Sequence, residues 1–392
     1  MGAGDGLRVG VVGVGYWGSK HLRVMRGLPE VAKVVAIDER LAQLPDFAHL
    51  LASGDGYTSL AAALPHVDAI VIATPPTTHL ALAMQAVDAG KHVLVEKPLA
   101  TRACDAQDLI DAAEAAGVVL MTGHTFEYNA AVTALRDLVS SGELGDLYYL
   151  DSARLNLGLY QTDVNVVLDL APHDISIANY VLGAQPTAVT AWGSRHVHPD
   201  FEDVAYLRLE YGTLGVRANV HVSWLDPHKV RRTTAVGSKK MAVYNDIAEE
   251  RIRVHDKAAL PPDADRARVA YQFGDIRSPH VAFDEPLMLQ DRHFATCIRD
   301  GLTPRSDGYS GLAVVAALEA AQISMSEGRT VLIEEVTGSD LRTALSAMPN
   351  LDLRVRDALL PARDRLAPAT PERASAPVPT TAPVPTPAPA AR

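Results

Sequence analysis

Short apolar runs and amphipathic stretches alternate through the first third of the chain. The runs Val9–Val12, Val34–Ile37, Ala69–Ala73, Val93–Val95 and Val118–Met121 are continuous rather than alternating, and turn residues or helical patterns flank them. Strands buried on both faces of a parallel sheet read this way. Between them, Ser19–Arg26, Leu60–Ala63, His79–Ala89 and Arg102–Ala116 carry helical periodicity, and Gly90 and Gly117 stand where C-terminal caps are expected. This β-α-β repetition predicts a doubly wound α/β domain of the Rossmann type, placed at residues 1–126.

The pattern then changes. Asn129–Ser140 predicts one more helix, closed by Ser141-Gly142; residues 145–156 predict a strand and residues 169–182 a helix. Strand-like stretches follow near 187–195, 203–211, 214–223, 230–236 and 240–245. Tyr206–Tyr211 and Val216–Val222 alternate, with Gly212-Thr213 as the turn of an antiparallel hairpin. Residues 127–345 therefore read as an α+β domain with an open, mostly antiparallel sheet. One face of that sheet is expected to pack on helices and the other to be covered by a partner subunit. Helical segments 284–300 and 309–326 are expected to pack back on the first domain. Residues 361–392 are rich in Pro, Ala and Thr and cannot bury enough apolar surface to offset ordering entropy, which predicts a disordered, extended tail.

Composition narrows the class. With 392 residues, 48% hydrophobic and 21% charged, the chain reads as a soluble globular protein of about two domains. A net charge of -11 argues against nucleic acid or an anionic membrane as partner, because phosphate contacts need basic surface. Cys104 and Cys297 are too few for a disulfide framework or a zinc site; no metal is expected, and a reducing compartment is. Met1–Leu7 lacks the regions of a secretion signal, and no apolar stretch approaches the ~20 residues of a spanning helix. A cytoplasmic protein is expected.

The candidate chemistry begins at the first strand. Gly13-Val14-Gly15-Tyr16-Trp17-Gly18 supplies G-x-G-x-x-G between a strand and a helix, and Asp38 ends the second apolar run twenty positions beyond Gly18. Gly13 permits the tight turn, Gly15 lets a pyrophosphate approach bare backbone, and Gly18 allows the helix to pack on the strand. The helix N-terminus holds the phosphate charge. Asp38 is placed to accept hydrogen bonds from the adenosine ribose, which predicts NAD rather than NADP, since a 2′-phosphate would be repelled. Lys97, in Glu96-Lys97-Pro98, stands just past a strand end of the parallel sheet, where ligands bind in such folds. By position alone it is equally a surface residue. Asp169 and His173 lie four apart on one helical face, so a carboxylate stands beside an imidazole that titrates near neutrality. Alone, that pair reads equally as a capping acid and a packed histidine.

Together these residues resemble the Gfo/Idh/MocA family, over about residues 7–340. The carrying motifs are the glycine loop, Ala73-Thr74-Pro75-Pro76-Thr77-Thr78-His79, Glu96-Lys97-Pro98 and Asp169 through His173. The resemblance implies a nicotinamide-binding domain, a sheet domain and an active site between them, with dimers or tetramers formed through the open sheets. It implies that Lys97 binds the reacting oxygen, that His173 is the acid/base, and that Asp169 contacts substrate or orients His173. It places Glu96 near the nicotinamide ribose and Thr74, Pro75, His79 and His124 along the cofactor cleft, with Tyr16 and Trp17 in the loop. The stretch around Arg154, Asn156, Gln161 and Asn165 looks like a branch containing nucleotide-sugar 3-dehydrogenases, and with Tyr128 these are the candidate substrate readers. Each is equally an ordinary loop residue. Arg231, Arg232, Lys239 and Lys240 read as a solvated face rather than a diphosphate site. The implied activity is NAD-dependent hydride transfer at a sugar ring hydroxyl, with C3 of a nucleotide-activated sugar expected. Alternatives are a free-sugar or inositol dehydrogenase, a ketosugar reductase, an NAD-dependent glycoside hydrolase, and a cofactor-binding regulator without turnover.

Overall fold

The computed structural model describes residues 6–158, 160–161, 164–262 and 268–338; the proline-rich segment 361–392 lies outside them. The first unit runs β1 (Leu7–Val12), α1 (Tyr16–Arg26), β2 (Val31–Ile37), α2 (His49–Ser53), β3 (Gly56–Tyr57), α3 (Leu60–Ala63), β4 (Ala69–Ile72), α4 (His79–Asp88), β5 (His92–Glu96), α5 (Ala103–Ala116) and β6 (Leu120–Gly123). These strands form one parallel sheet in the order β3-β2-β1-β4-β5-β6. The strand order reverses between β1 and β4, which opens a crevice at the carboxyl ends of the strands. Continuous apolar strands suit this layer because helices cover both faces, and every residue of β4 is buried. Gly117 takes the left-handed conformation (φ +64°) that closes α5.

The second unit begins with α6 (Ala130–Ser140), β7 (Leu147–Leu155), α7 (Val166–Leu182), β8 (Ala188–Ser194), β9 (Val204–Tyr211) and β10 (Val216–Ser223). It continues with β11 (Val230–Gly237), β12 (Met241–Asn245), β13 (Ile252–Leu260), β14 (Ala270–Arg277), α8 (Pro286–Asp300), α9 (Gly308–Glu327), β15 (Val331–Leu332) and α10 (Ile333–Thr337). Nine strands form a sheet ordered β14-β13-β12-β11-β7-β10-β9-β8-β15. All its pairs are antiparallel except β7 with β10, which run parallel. The sheet is thus mixed, mostly antiparallel. Alternation along β9 and β10 sends one face into the core against α7, with α6 on β12 and α9 on β8. The other face carries Tyr148, Tyr149, Trp192 and Tyr206 to the surface, with Tyr206 stacked on His221 at 4.0 Å.

Some local expectations shift. The strand read at 118–121 is displaced to Leu120–Gly123, because Val118 and Val119 still belong to the approach from the helix. The β9–β10 turn spans four residues, and Gly215 (φ +67°), not Gly212, takes the left-handed position. β13 and β14 were not read as strands at all; β14 is an edge strand whose aromatic residues point outward, so it lacks a clean apolar–polar alternation. α8 packs on α1 through an Arg23–Glu285 ion pair and a buried cluster containing Phe294, Leu22 and Met25. α9 packs on α5.

Candidate active site

The glycine loop has the shape its sequence requires. Gly13 turns the chain with φ +84°, and a Cβ there would meet the Thr74 side chain at 2.7 Å and the Ala73 oxygen at 2.9 Å. At Gly18 a Cβ would lie 1.8 Å from the Gly13 oxygen, so only glycine lets α1 seat on β1. A Cβ on Gly15, by contrast, would find nothing within 4 Å, so this backbone is open to a ligand. The asymmetry fits a dinucleotide: two glycines serve packing and the middle one serves approach. Asp38 follows β2 and accepts from the Val14 N-H (2.9 Å), which fastens the acid to the glycine loop, and from the Arg40 N-H of its own turn (2.8 Å). Tyr16 and Trp17 stand exposed, edge to face at 5.4 Å, with the Lys20 ammonium 4.6 Å from the Tyr16 ring.

Around the Thr74-Pro75 turn, the Thr78 hydroxyl donates to Thr74 Oγ1 at 2.7 Å, and Pro75 is exposed. His79 differs from the expectation of a cleft-lining residue. It is fully buried, with Nδ1 2.8 Å from the Pro98 oxygen and Nε2 2.9 Å from the Thr74 oxygen. It braces the two loops from behind.

Lys97 reaches from the end of β5 to the first turn of α7. Its Nζ donates to the Asp169 carbonyl at 2.9 Å and lies 3.8 Å from Asp169 Oδ1. The Trp224 indole, buried beneath, donates to Asp169 Oδ2 at 3.1 Å. Asp169 therefore holds Lys97 and is itself held by Trp224; among the described residues no side-chain hydrogen bond joins it to His173. This replaces the expectation that Asp169 orients His173. Pro172, inside α7, removes the N-H that would bond the Leu168 carbonyl and loosens the turn that carries both residues. Burial lowers the Lys97 pKa, against the attraction of Asp169 and Glu96.

His173 follows on the same helix, with its ring 5.0 Å from Phe126 in an edge-to-face contact. Its Nδ1 is buried without a partner. Burial, followed by the charges of Lys97, Arg154 and Arg231, holds its pKa well below the ordinary 6.5, so the imidazole is neutral at neutral pH. That coupling brings Arg231, read from sequence as part of a solvated face, within electrostatic reach of the site; Lys240 instead pairs with Glu143. His124, just past β6, is buried with neither ring nitrogen partnered, and burial pushes its pKa down to about 4.

Three of the expected substrate readers are occupied internally. The Arg154 guanidinium is buried, donates to Asp174 at 2.6 Å and lies 4.7 Å from the Phe126 ring. Asn165 caps α7, accepting from the Leu168 N-H at 3.1 Å while its amide donates to Glu202 at 3.0 Å. Tyr128 is buried beneath the Arg305 guanidinium and bonds Ser306 at 3.2 Å. A buried polar group seeks a local partner, and these found theirs in the protein. Asn156 and Gln161 remain half-exposed in the segment leading to α7.

Glu96 brings in residues that sequence reading missed. Its Oε1 lies 3.0 Å from Nε2 of His21 on α1, whose Nδ1 lies 3.0 Å from both carboxylate oxygens of Asp291 on α8. His21 follows Gly18 by three positions, but Asp291 is 270 residues away, a pairing no local pattern reveals. Trp224 was likewise unmarked.

Comparison with known proteins gives the family of both units. Residues 7–124 match the oxidoreductase family with an NAD-binding Rossmann fold, GFO_IDH_MocA, and residues 132–243 match the GFO/IDH/MocA C-terminal domain. UDP-N-acetylglucosamine 3-dehydrogenase of Acidithiobacillus ferrooxidans is 33% identical over 229 residues, 58% of this chain and 70% of that protein. Myo-inositol 2-dehydrogenase of Thermotoga maritima is 26% identical over 85% of this chain and its own full length. Among solved structures, GenD2 from gentamicin A biosynthesis, in complex with NAD, superposes with a TM-score of 0.70 at 26% identity, covering 84% of this chain and 96% of that one.

Proposed function

The chain belongs to the Gfo/Idh/MocA family of oxidoreductases, with an NAD-binding Rossmann domain, and on that premise we propose that it oxidises a ring hydroxyl of a nucleotide-activated sugar, at C3. The observation that supports this reading best is the convergence of Lys97 on Asp169, one helical turn from the neutral imidazole of His173.

The loop built by Gly13, Gly15 and Gly18 would hold the dinucleotide phosphates, and Asp38 the adenosine ribose. Bound nicotinamide would supply the hydride acceptor. The protein's own part is the proton and the charge. Lys97 places an ammonium where the carbinol oxygen develops negative charge, and the Asp169 carbonyl and Trp224 fix its direction. His173, neutral and with an unpartnered nitrogen, takes the hydroxyl proton and returns it in the reverse direction. His124 offers two free nitrogens to the nicotinamide end of the cleft. Asn156 and Gln161 read the sugar hydroxyls. The exposed aromatic face of the nine-stranded sheet is the surface through which copies would pair as dimers or tetramers, and a cytoplasmic location belongs to the same reading.

The substrate is tested by steady-state NAD reduction with UDP- and dTDP-sugars beside myo-inositol and free sugars. A UDP-N-acetylated sugar is expected to give the highest kcat/KM. Turnover of inositol with none of any nucleotide sugar would overturn the substrate and favour the polyol activity named for the Thermotoga relative.

Cofactor choice is tested separately. Asp38 is expected to make NAD the preferred cofactor. Asp38→Ala removes the hydrogen bond that ties the acid to the Val14 N-H of the glycine loop, worth roughly 1.5–3 kcal/mol, together with the acceptor for the ribose, so NAD affinity should fall at least tenfold by isothermal titration calorimetry. An unmodified chain that uses NADP as efficiently as NAD would contradict the assignment.

A further inference from the structure

We infer that His21 is a positioning residue for the hydride-transfer site: clamped between Asp291 and Glu96, it seats the Glu96 carboxylate and, through it, the backbone that carries Lys97. The inference rests on the reading of Lys97 as the group that receives the reacting oxygen.

The three side chains come from three elements packed at the mouth of the crevice: α1 behind the glycine loop, β5 at its carboxyl end, and α8 of the second unit. His21 and Asp291 are fully buried and Glu96 nearly so. Both ring nitrogens of His21 face carboxylate oxygens at 3.0 Å. A neutral imidazole has one N-H, so two such bonds to ionised acceptors require an imidazolium. Burial opposes that charge, but Asp291 and then Glu96 outweigh it and push the His21 pKa up to about 10. The trio is a carboxylate–imidazolium–carboxylate bridge in which one buried cation faces both carboxylates.

Glu96 is confined from the other side as well. A Cβ on Gly123 would lie 3.1 Å from the Glu96 carboxyl carbon and from Oε1, so β6 presents a glycine where this carboxylate rests. Its second oxygen, Oε2, accepts the N-H of Lys97 at 3.2 Å. A rigid path therefore runs from α8 through His21 and Glu96 to the peptide that launches the Lys97 side chain toward Asp169. Without His21, two buried carboxylates would face one another with no cation between them. One would take a proton or turn away, and the Lys97 peptide would lose its anchor.

The test compares His21→Gln and Asp291→Asn with the parent chain. Gln keeps one donor for Glu96 and no charge; Asn keeps an acceptor for His21 and removes only the charge beyond it. Misplacing a catalytic group by about 1 Å costs up to ~100-fold, so His21→Gln should lower kcat and kcat/KM together by roughly 10- to 100-fold, with the dissociation constant for NAD changed less than threefold. Asp291→Asn should move the alkaline limb of the kcat/KM profile to lower pH, because His21 then loses its proton sooner. In that variant the other charged and titratable groups about the trio, Glu96 and Lys97 at β5, His124 at β6 and Arg23 on α1, are unchanged. Nitrogen NMR of the parent chain at pH 8 should show both His21 ring nitrogens protonated. His21→Gln turning over within twofold of an active parent, an unmoved alkaline limb in Asp291→Asn, or a single protonated nitrogen on His21 would each overturn the inference. A parent chain that oxidises no sugar or polyol would overturn the functional reading itself, a result distinct from those three.

Discussion

Replacing Lys97 with alanine is expected to lower kcat by roughly 10²- to 10⁴-fold while the dissociation constant for NAD stays close to that of the parent chain. The split follows from where the ammonium sits. Its partner is Asp169 on the second unit, so the binding of cofactor phosphates and ribose is expected to survive its removal. The developing charge on the substrate oxygen loses its cation. Lys97→Arg should not rescue turnover, because a planar guanidinium cannot reproduce a single compact charge at the Asp169 carbonyl. Stopped-flow measurement of NADH formation with the preferred sugar decides it. Turnover within tenfold of the parent would remove Lys97 from the chemistry.

His173→Asn is expected to lower kcat for oxidation by a similar roughly 10²- to 10⁴-fold, and to change the pH profile in a specific way. In the parent chain His173 must be unprotonated to accept the hydroxyl proton. Burial and the cations at Lys97, Arg154 and Arg231 hold its pKa well below 6.5. On the acid side, oxidation by the parent should therefore be level from pH 6.5 through neutrality and fall as pH drops through that lowered value, where the imidazole becomes charged. Reduction of the keto product, which needs the protonated form, should gain over the same acidic interval. In His173→Asn the residual rate should lose the acidic limb. An acidic limb that survives the substitution would assign the proton to another group.

Much of this site was legible in order along the chain. The glycine loop, Asp38, Lys97 and the Asp169–His173 spacing are local patterns whose physics acts over a few residues, and the fold places them where strands end and α7 begins. What the sequence hid is what burial decides. Arg154, Asn165 and Tyr128 look like polar readers on paper, yet Asp174, Glu202 and Ser306 take their polar atoms inside the protein. His79 likewise turned inward against two carbonyls. His21 and Asp291 carry no motif as a pair, since their meeting depends on α8 returning to α1 across 270 residues. β14 escaped for a different reason: an edge strand with exposed Tyr271, Phe273 and Ile276 breaks the alternation that marks its neighbours, while in β13 the polar run His255-Asp256-Lys257 interrupts the alternation begun at Ile252.

The most direct measurement is a crystal structure of the protein with NAD and the preferred sugar both bound. The account predicts one sugar oxygen within about 2.6–3.2 Å of both Lys97 Nζ and a ring nitrogen of His173, its carbon facing the nicotinamide. A productive complex in which that oxygen touches neither side chain would contradict it.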